Sequence, residues 1–238
     1  MSSGIYIASA GAVAQSTALD ATANNIANAA TAGFHGDRIT FREALTQARS
    51  PDLAVVGAGT ARVDSQAGAL TQSDNPLDVA LDGDGYFGVQ TPNGARYTRA
   101  GNFRLDDQRR LVSADGFPVR GEGGATISIP PEAKAIAIGA DGQVSADGEE
   151  VGRLELSRFA PAQLKREGGT LLSARGNALT TGEPPKVKSG MLESSNVNVV
   201  RGVVDLVKVS RTYESLMRVI QGYHDIESRA ARDLGGPK

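Results

Sequence analysis

Residues from about 194 to about 233 carry a helical apolar period that is too long for a small domain to cover. Val203, Leu206, Ser210, Tyr213, Met217 and Ile220 fall alternately three and four apart, the spacing of one face of an α-helix. From Val203 onward no glycine interrupts the run before Gly222, and no proline before Pro237. A helix of about 35 residues is about 50 Å long. Stripes of this kind usually pack on a chain's own core. This one exceeds the span of a small domain, so part of it must project or find another partner.

A thinner stripe lies at the opposite end. Ile5, Ala12, Leu19 and Ile26 are seven apart, with Ala8, Gln15 and Thr22 between them, which is heptad-like but partly polar. Asn24-Asn25-Ile26-Ala27-Asn28 is expected to end this helix, and Thr31-Ala32-Gly33-Phe34 to turn the chain. An irregular connector follows, in which Phe41 to Ala48 reads as a short helix and Pro51, Gly57, Gly59 and Gly68 break the rest into extended pieces.

The middle of the chain reads as β. Short apolar runs recur at Tyr86–Gln90, Arg96–Thr98, Phe103–Leu105, Leu111–Ser113, Thr126–Ile129, Ala135–Ile138, Val144–Ala146 and Leu154–Phe159. Between them lie Pro92-Asn93-Gly94, Asp115-Gly116, Asp141-Gly142 and Asp147-Gly148, and Asx-Gly pairs supply the positive φ of tight hairpins. The class expected is α+β: a helix at each end and a mainly antiparallel β domain between. The divisions are residues 1–36 for the first helix and turn, 37–80 for the connector, 81–186 for the β domain and 187–238 for the last segment and long helix. The two helices are expected to pair with each other or with copies in neighbouring subunits.

Composition narrows the function classes. At a net charge of −2 no strongly basic face is implied, so nucleic acid is not an expected partner. No stretch approaches the roughly 18 apolar residues of a membrane span. The N-terminus has no cationic region leading into an apolar one, so no cleaved signal peptide is expected and the residues alone read as cytoplasmic. With no cysteine there is no disulfide and no thiolate chemistry.

Candidate chemical motifs are weak. Gly83-Asp84-Gly85-Tyr86-Phe87-Gly88 fits GxGxxG, but a strand is expected to follow it, whereas a dinucleotide needs a helix N-terminus there. Asp82, Asp84, Asp106, Asp107, Asp115, Asp141 and Asp147 lack the order of a calcium loop and read as turn residues. His35 and His224 are the only histidines and have no metal-site spacing. No catalytic, cofactor or metal residue is assigned, and no small-molecule substrate. A pair of carboxylates brought together by the fold stays open, which leaves a secreted β-domain enzyme or carbohydrate-binding protein as the competing class.

Four blocks together resemble one family. Asn25-Ile26-Ala27-Asn28 with Thr31-x-Gly33-Phe34 is similar to the N-terminal signature of flagellar basal-body rod and hook proteins. Asn75-Pro76-Leu77-Asp78-Val79-Ala80-Leu81 with Gly85-Tyr86-Phe87 resembles that family's lead-in to its β domain. Tyr97-Thr98-Arg99-Ala100-Gly101-Asn102-Phe103 resembles the next hairpin, and Gly190-Met191-Leu192-Glu193-x-Ser195-Asn196-Val197-Asn198 the C-terminal signature.

The resemblance implies an inner coiled-coil layer of terminal helices with the β domain outside. It implies a non-enzymatic axial subunit that polymerises with itself and other rod proteins and transmits torque. It also implies export through the flagellar type III apparatus without a cleaved signal, which revises a cytoplasmic location to the periplasm-spanning rod. Terminal segments that order only on contact would delay polymerisation until after export. Chain length, Gly121-Glu122-Gly123-Gly124 and Val151-Gly152-Arg153-Leu154 are most similar to the proximal-rod branch, with distal-rod and hook-type members as alternatives. The expected assembly surface comprises Ile5, Leu19, Ile26, Val203, Leu206, Tyr213, Met217 and Ile220. Asn25, Asn28, Gly33 and Phe34 form the expected signature turn.

Overall fold

In the computed structural model, residues 3–45, 54–179 and 183–234 are described. Two compact units result: one of residues 1–27, 37–61 and 198–238, the other of residues 28–36 and 62–197.

The first unit holds helix α1 (Ser3–Ala27), strand β1 (Asp37–Leu45) and most of strand β2 (Ala54–Val63), which pair with each other, and helix α2 (Val199–Leu234). Asn198 starts α2: its Oδ1 accepts the Arg201 amide at 3.0 Å and its carbonyl accepts the Gly202 amide at 2.9 Å. The two helices run antiparallel, side by side. A Cβ on Gly4 would lie 2.6 Å from Tyr223 Oη, one on Gly11 3.3 Å from Leu216 Cδ1, and one on Gly202 2.9 Å from Ile26 Cγ1. Small residues on α1 thus admit large ones from α2, and Ala8, Ala12, Ala14 and Ala18 are buried.

The half-buried face of α2 is Gly202, Leu206, Val209, Tyr213, Leu216, Ile220 and Tyr223, spaced four and three apart. The sequence reading found Leu206, Tyr213 and Ile220. It took Val203 for a residue of the same stripe where the structure has Gly202, because a glycine that admits a neighbour does not look apolar.

Phe41 to Leu45 belongs to β1 and not to the expected helix, and Thr46 to Ala48 lie outside the described residues. Ile39, Thr40 and Phe41 favour an extended chain, and the partner strand β2 settles it.

The strands of the second unit pair antiparallel, and short 3-10 turns at Glu122–Gly124 and Pro161–Gln163 lie between them. Its strands are β3 (Leu70–Gln72), β4 (Val79–Asp82), β5 (Tyr86–Thr91), β6 (Gly94–Thr98), β7 (Arg104–Leu105), β8 (Leu111–Val112), β9 (Ile136–Ile138), β10 (Gln143–Ala146), β11 (Glu149–Arg153), β12 (Leu156–Ser157), β13 (Leu164–Gly168), β14 (Leu171–Ala174), β15 (Lys186–Ser189) and β16 (Met191–Glu193). The largest sheet has the order β12-β5-β6-β14-β13, and a second has β11-β10-β9. Late strands return to early ones: β15 pairs with β4 and β16 with β3.

Hairpins form where Asx-Gly pairs were read. Gly94 joins β5 to β6 at φ +101°, Gly142 joins β9 to β10 at +83°, and Asp147-Gly148 joins β10 to β11 at +50° and +92°. Thr126–Ile129 makes only single bridges, Thr126 to Arg120 and Ser128 to Arg110. Pro130 and Pro131 follow at once and have no amide to extend a ladder.

The main core gathers Phe87, Phe103, Leu111, Val119, Ile127 and Val144, with Phe87 and Phe103 edge to face at 5.1 Å. A smaller cluster holds Tyr86, Phe159, Leu164 and Leu172, against which Tyr97 packs, its ring 4.4 Å from Phe159.

Candidate assembly surface

Within the β unit, residues from all four signature blocks meet around one buried carboxylate. Gly33 has φ +66° and lies so close to the chain at Arg99-Ala100 that a Cβ would fall 2.2 Å from the Ala100 nitrogen. Its amide donates to the Glu193 carbonyl at 2.7 Å. Gly101 approaches Val79 as closely, and the Val79 amide donates to the Gly101 carbonyl at 3.0 Å. The Gly190 amide donates to the Asp78 carbonyl at 2.8 Å, and the Gly36 amide to Asn196 Oδ1 at 2.8 Å.

Glu193 is 1% exposed. Its Oε1 lies 2.7 Å from His35 Nε2 and accepts the Gly68 amide at 2.8 Å, while Oε2 lies 3.4 Å from Arg99 Nη1. His35 Nδ1 donates to the Asp64 carbonyl at 2.9 Å. Burial alone would raise the Glu193 pKa. The His35 hydrogen bond, the Arg99 charge and the Gly68 amide outweigh it and hold the carboxyl below its ordinary value. His35, Arg99 and Glu193 therefore act as structure. Sequence reading missed this cluster because charged residues are expected on surfaces.

The signature-turn residues serve the same end. Phe34 is fully buried beneath the Arg166 guanidinium, 4.4 Å from its ring. Asn28 accepts the Thr31 amide at 3.1 Å. In the helical unit, Asn25 and Asp37 exchange two bonds, Nδ2 to the Asp37 carbonyl at 2.9 Å and the Asp37 amide to Oδ1 at 2.8 Å.

The turn aspartates are likewise engaged. Asp106 Oδ1 accepts the amides of Gln108 and Arg110, and Asp147 those of Lys134 and Ala135. Among the described residues no group of three His, Cys, Asp or Glu side chains is placed to hold a metal. No helix among them is long and apolar enough to cross a membrane.

The helical unit leaves apolar surface in water. Val199, Val200, Val203, Val204 and Val207 are between 45% and 77% exposed, and at helical spacing they form a continuous stripe along the first turns of α2. Val219 and Ile226 on α2, and Tyr6, Ile7 and Val13 on α1, are exposed as well. Of the eight residues expected at the assembly surface, Val203 lies in this stripe. Ile5, Leu19, Ile26, Leu206, Tyr213, Met217 and Ile220 are half-buried, and the structure brings Ile26 to Gly202 of α2. Hiding a half-exposed valine is worth on the order of 1 kcal/mol, so the stripe is a sizeable contact in reserve.

Comparison with known proteins agrees along the chain. Residues 5–35 match the family described as flagella basal body rod protein, residues 80–146 the flagellar hook protein FlgE/F/G D1 domain, and residues 188–233 the flagellar basal body rod FlgEFG protein C-terminal family. The flagellar basal-body rod protein FlgF of Escherichia coli is 37% identical over 88% of this chain and 89% of its own. FlgF of Caulobacter vibrioides is 35% identical over 91% of each chain, and FlgG of Bacillus subtilis 34% over 86% of this chain and 88% of its own.

Proposed function

Because this chain belongs to the flagellar basal-body rod protein family, we infer that it is a structural subunit of the bacterial flagellar rod and not an enzyme. It works in the flagellar basal body, where its neighbours are other rod components.

The valine stripe of α2 supports assembly through the helices. One face of α2 is spent on α1, and the stripe is left for another subunit. Repeated contacts between unlike faces extend an assembly helically until a different neighbour ends it. The terminal helices form a coiled-coil layer in the rod, and their length gives it the axial stiffness that torque transmission needs. The subunit occupies the proximal rod, a reading supported by its 37% identity with FlgF of Escherichia coli, against 34% with FlgG of Bacillus subtilis. It reaches that place through the flagellar type III export apparatus with its N-terminus uncleaved.

Replacing Val200 and Val203 together with Asp tests the assembly reading. The isolated variant should keep its circular dichroism and its Tm, since both side chains already face water, yet cells carrying it should not swim. Normal swimming would remove the stripe from assembly. Complementation separates proximal from distal: the gene should restore motility to cells lacking FlgF and not to cells lacking FlgG.

A further inference from the structure

The ring of His35 stands between two acceptors. Its Nδ1 lies 2.9 Å from the Asp64 carbonyl oxygen, and its Nε2 lies 2.7 Å from Glu193 Oε1. A carbonyl oxygen only accepts, so Nδ1 carries a proton. A neutral imidazole has a single N–H, and with that one on Nδ1 its Nε2 presents a lone pair. An ionised carboxylate also only accepts. Two lone pairs at 2.7 Å would repel, so the contact needs a proton of its own. No water separates atoms this close, and the two side chains are 3% and 0% exposed.

The charges packed around the pair decide which atom holds that proton. Arg99, after β6, has Nη1 3.4 Å from Glu193 Oε2, and Arg166, on β13, donates through Nη2 to the His35 carbonyl. Both oppose a further cation on the ring, while the Glu193 carboxylate and the Asp64 carbonyl favour one. The Asp64 carboxylate is engaged elsewhere, its Oδ1 accepting the Gln66 amide at 3.1 Å. Tyr86, on β5, stands under the Arg99 guanidinium at 5.6 Å. Moving the proton onto Oε1 would leave Arg99 without its counter-charge, and the Gly68 amide also donates to that oxygen, at 2.8 Å. The proton therefore belongs on Nε2, and the buried pair gains or loses it as a unit.

We propose that the His35–Glu193 contact is a proton-dependent latch: with the proton on Nε2 it ties the turn after α1 to β16, and when base takes that proton away the turn is released. The ties that go with it are the Gly68 amide to Oε1, the Gly33 amide to the Glu193 carbonyl at 2.7 Å and the Asn196 amide to the Phe34 carbonyl at 3.3 Å. The folded latch holds a proton that the unfolded chain gives up as pH rises, so its share of stability is complete below about pH 6.5, the ordinary histidine range, and is lost above it. Acid opens the same latch from the other side, by protonating Glu193. The turn is thus fastened over a bounded pH range.

The chain has two histidines, and the exposed His224 is a reference for the buried His35 in the same sample. Long-range ¹H–¹⁵N spectra of the labelled full chain, taken from about pH 6 to about pH 9.5, count the protons on each ring. Where His224 is half titrated, His35 should still show both ring N–H groups. At higher pH the Nε2 proton should go, and the Gly33 and Gly68 amides should lose hydrogen-exchange protection relative to Leu111, whose amide donates to the Ile127 carbonyl in the main core. A His35 ring with one N–H where His224 is half titrated overturns the proposal. So does loss of the Nε2 proton with Gly33 and Gly68 still protected. In Glu193→Gln the side-chain amide can donate to Nε2, so a neutral ring is satisfied there. His35 of that variant should show a single N–H at the same pH, and two would mean that Glu193 does not hold the proton. The native chain decides the latch by itself if the variant does not fold.

Discussion

His35 Nε2 and Glu193 Oε1 lie 2.7 Å apart although 158 residues separate them in sequence, and water reaches neither side chain freely. The contact fastens the turn that follows the first helix to the strand that precedes the last. Removing the carboxylate also leaves the buried Arg99 guanidinium without its counter-charge. Glu193→Gln should therefore destabilise the β unit by about 3 kcal/mol. Urea denaturation should show a lower midpoint at an unchanged slope.

Acid should act through the same carboxyl. The folded pKa of Glu193 is held below its ordinary value of 4.5, so unfolding raises its affinity for protons. The stability it contributes is complete above that ordinary value and is lost as pH falls toward the lower folded one. Tm of the native chain should drop across this acid window. Asp82, Asp106 and Glu167 are also shifted down, by Lys188, Arg110 and Arg96 respectively, and share in the drop. The native chain minus Glu193→Gln isolates the Glu193 share, and identical acid slopes would show that it contributes none.

Two glycine substitutions separate backbone strain from collision. Gly148→Ala meets nothing within 4 Å but must hold φ +92°, and should cost on the order of 1 kcal/mol. Gly33→Ala adds a collision with the backbone at Ala100, and should cost about 3 kcal/mol or more. Thermal melts of the two variants would rank them, and equal losses would refute the close packing of the turn.

Leu206 and Val203 are three residues apart with different fates. Leu206→Asp, and likewise Ile220→Asp, places a charge on the half-buried face of α2 and should reduce helical circular dichroism while the β signal persists. Val203→Asp alone should leave both signals unchanged. Equal loss of helix in the two variants would mean that α2 has no preferred face in the isolated chain.

Chelation should leave Tm unaltered, because the carboxylates of Asp106 and Asp147 are already committed to backbone amides and need no ion. A fall in Tm that added calcium reverses would show the opposite.

Much of this was legible beforehand, for physical reasons. Helical periods of three and four marked both helices, and Asn-Gly and Asp-Gly marked the hairpins. What escaped was set by partners distant in sequence. Phe41 became strand because β2 lies beside it. Leu164–Gly168 carries Lys165, Arg166 and Glu167, so it lacks the apolar signature of a strand, yet β14 completes its pairing. At the start of α2, Val203 was read as part of the inner face where the structure has Gly202, because Gly202 contributes room, not bulk. His35, Arg99 and Glu193 read as ordinary polar positions until the fold enclosed them.

The helices α1 and α2 are also unequal, at 25 and 36 residues. With Gly4 opposite Tyr223, the residues of α2 from His224 onward run past the described start of α1, and Ile226 among them stands 64% exposed. At 1.5 Å per residue this overhang is about 16 Å long. A hairpin with one protruding leg does not look the same turned upside down. Copies that stack by covering that leg can do so in one sense only, and a column built from them has two distinguishable ends.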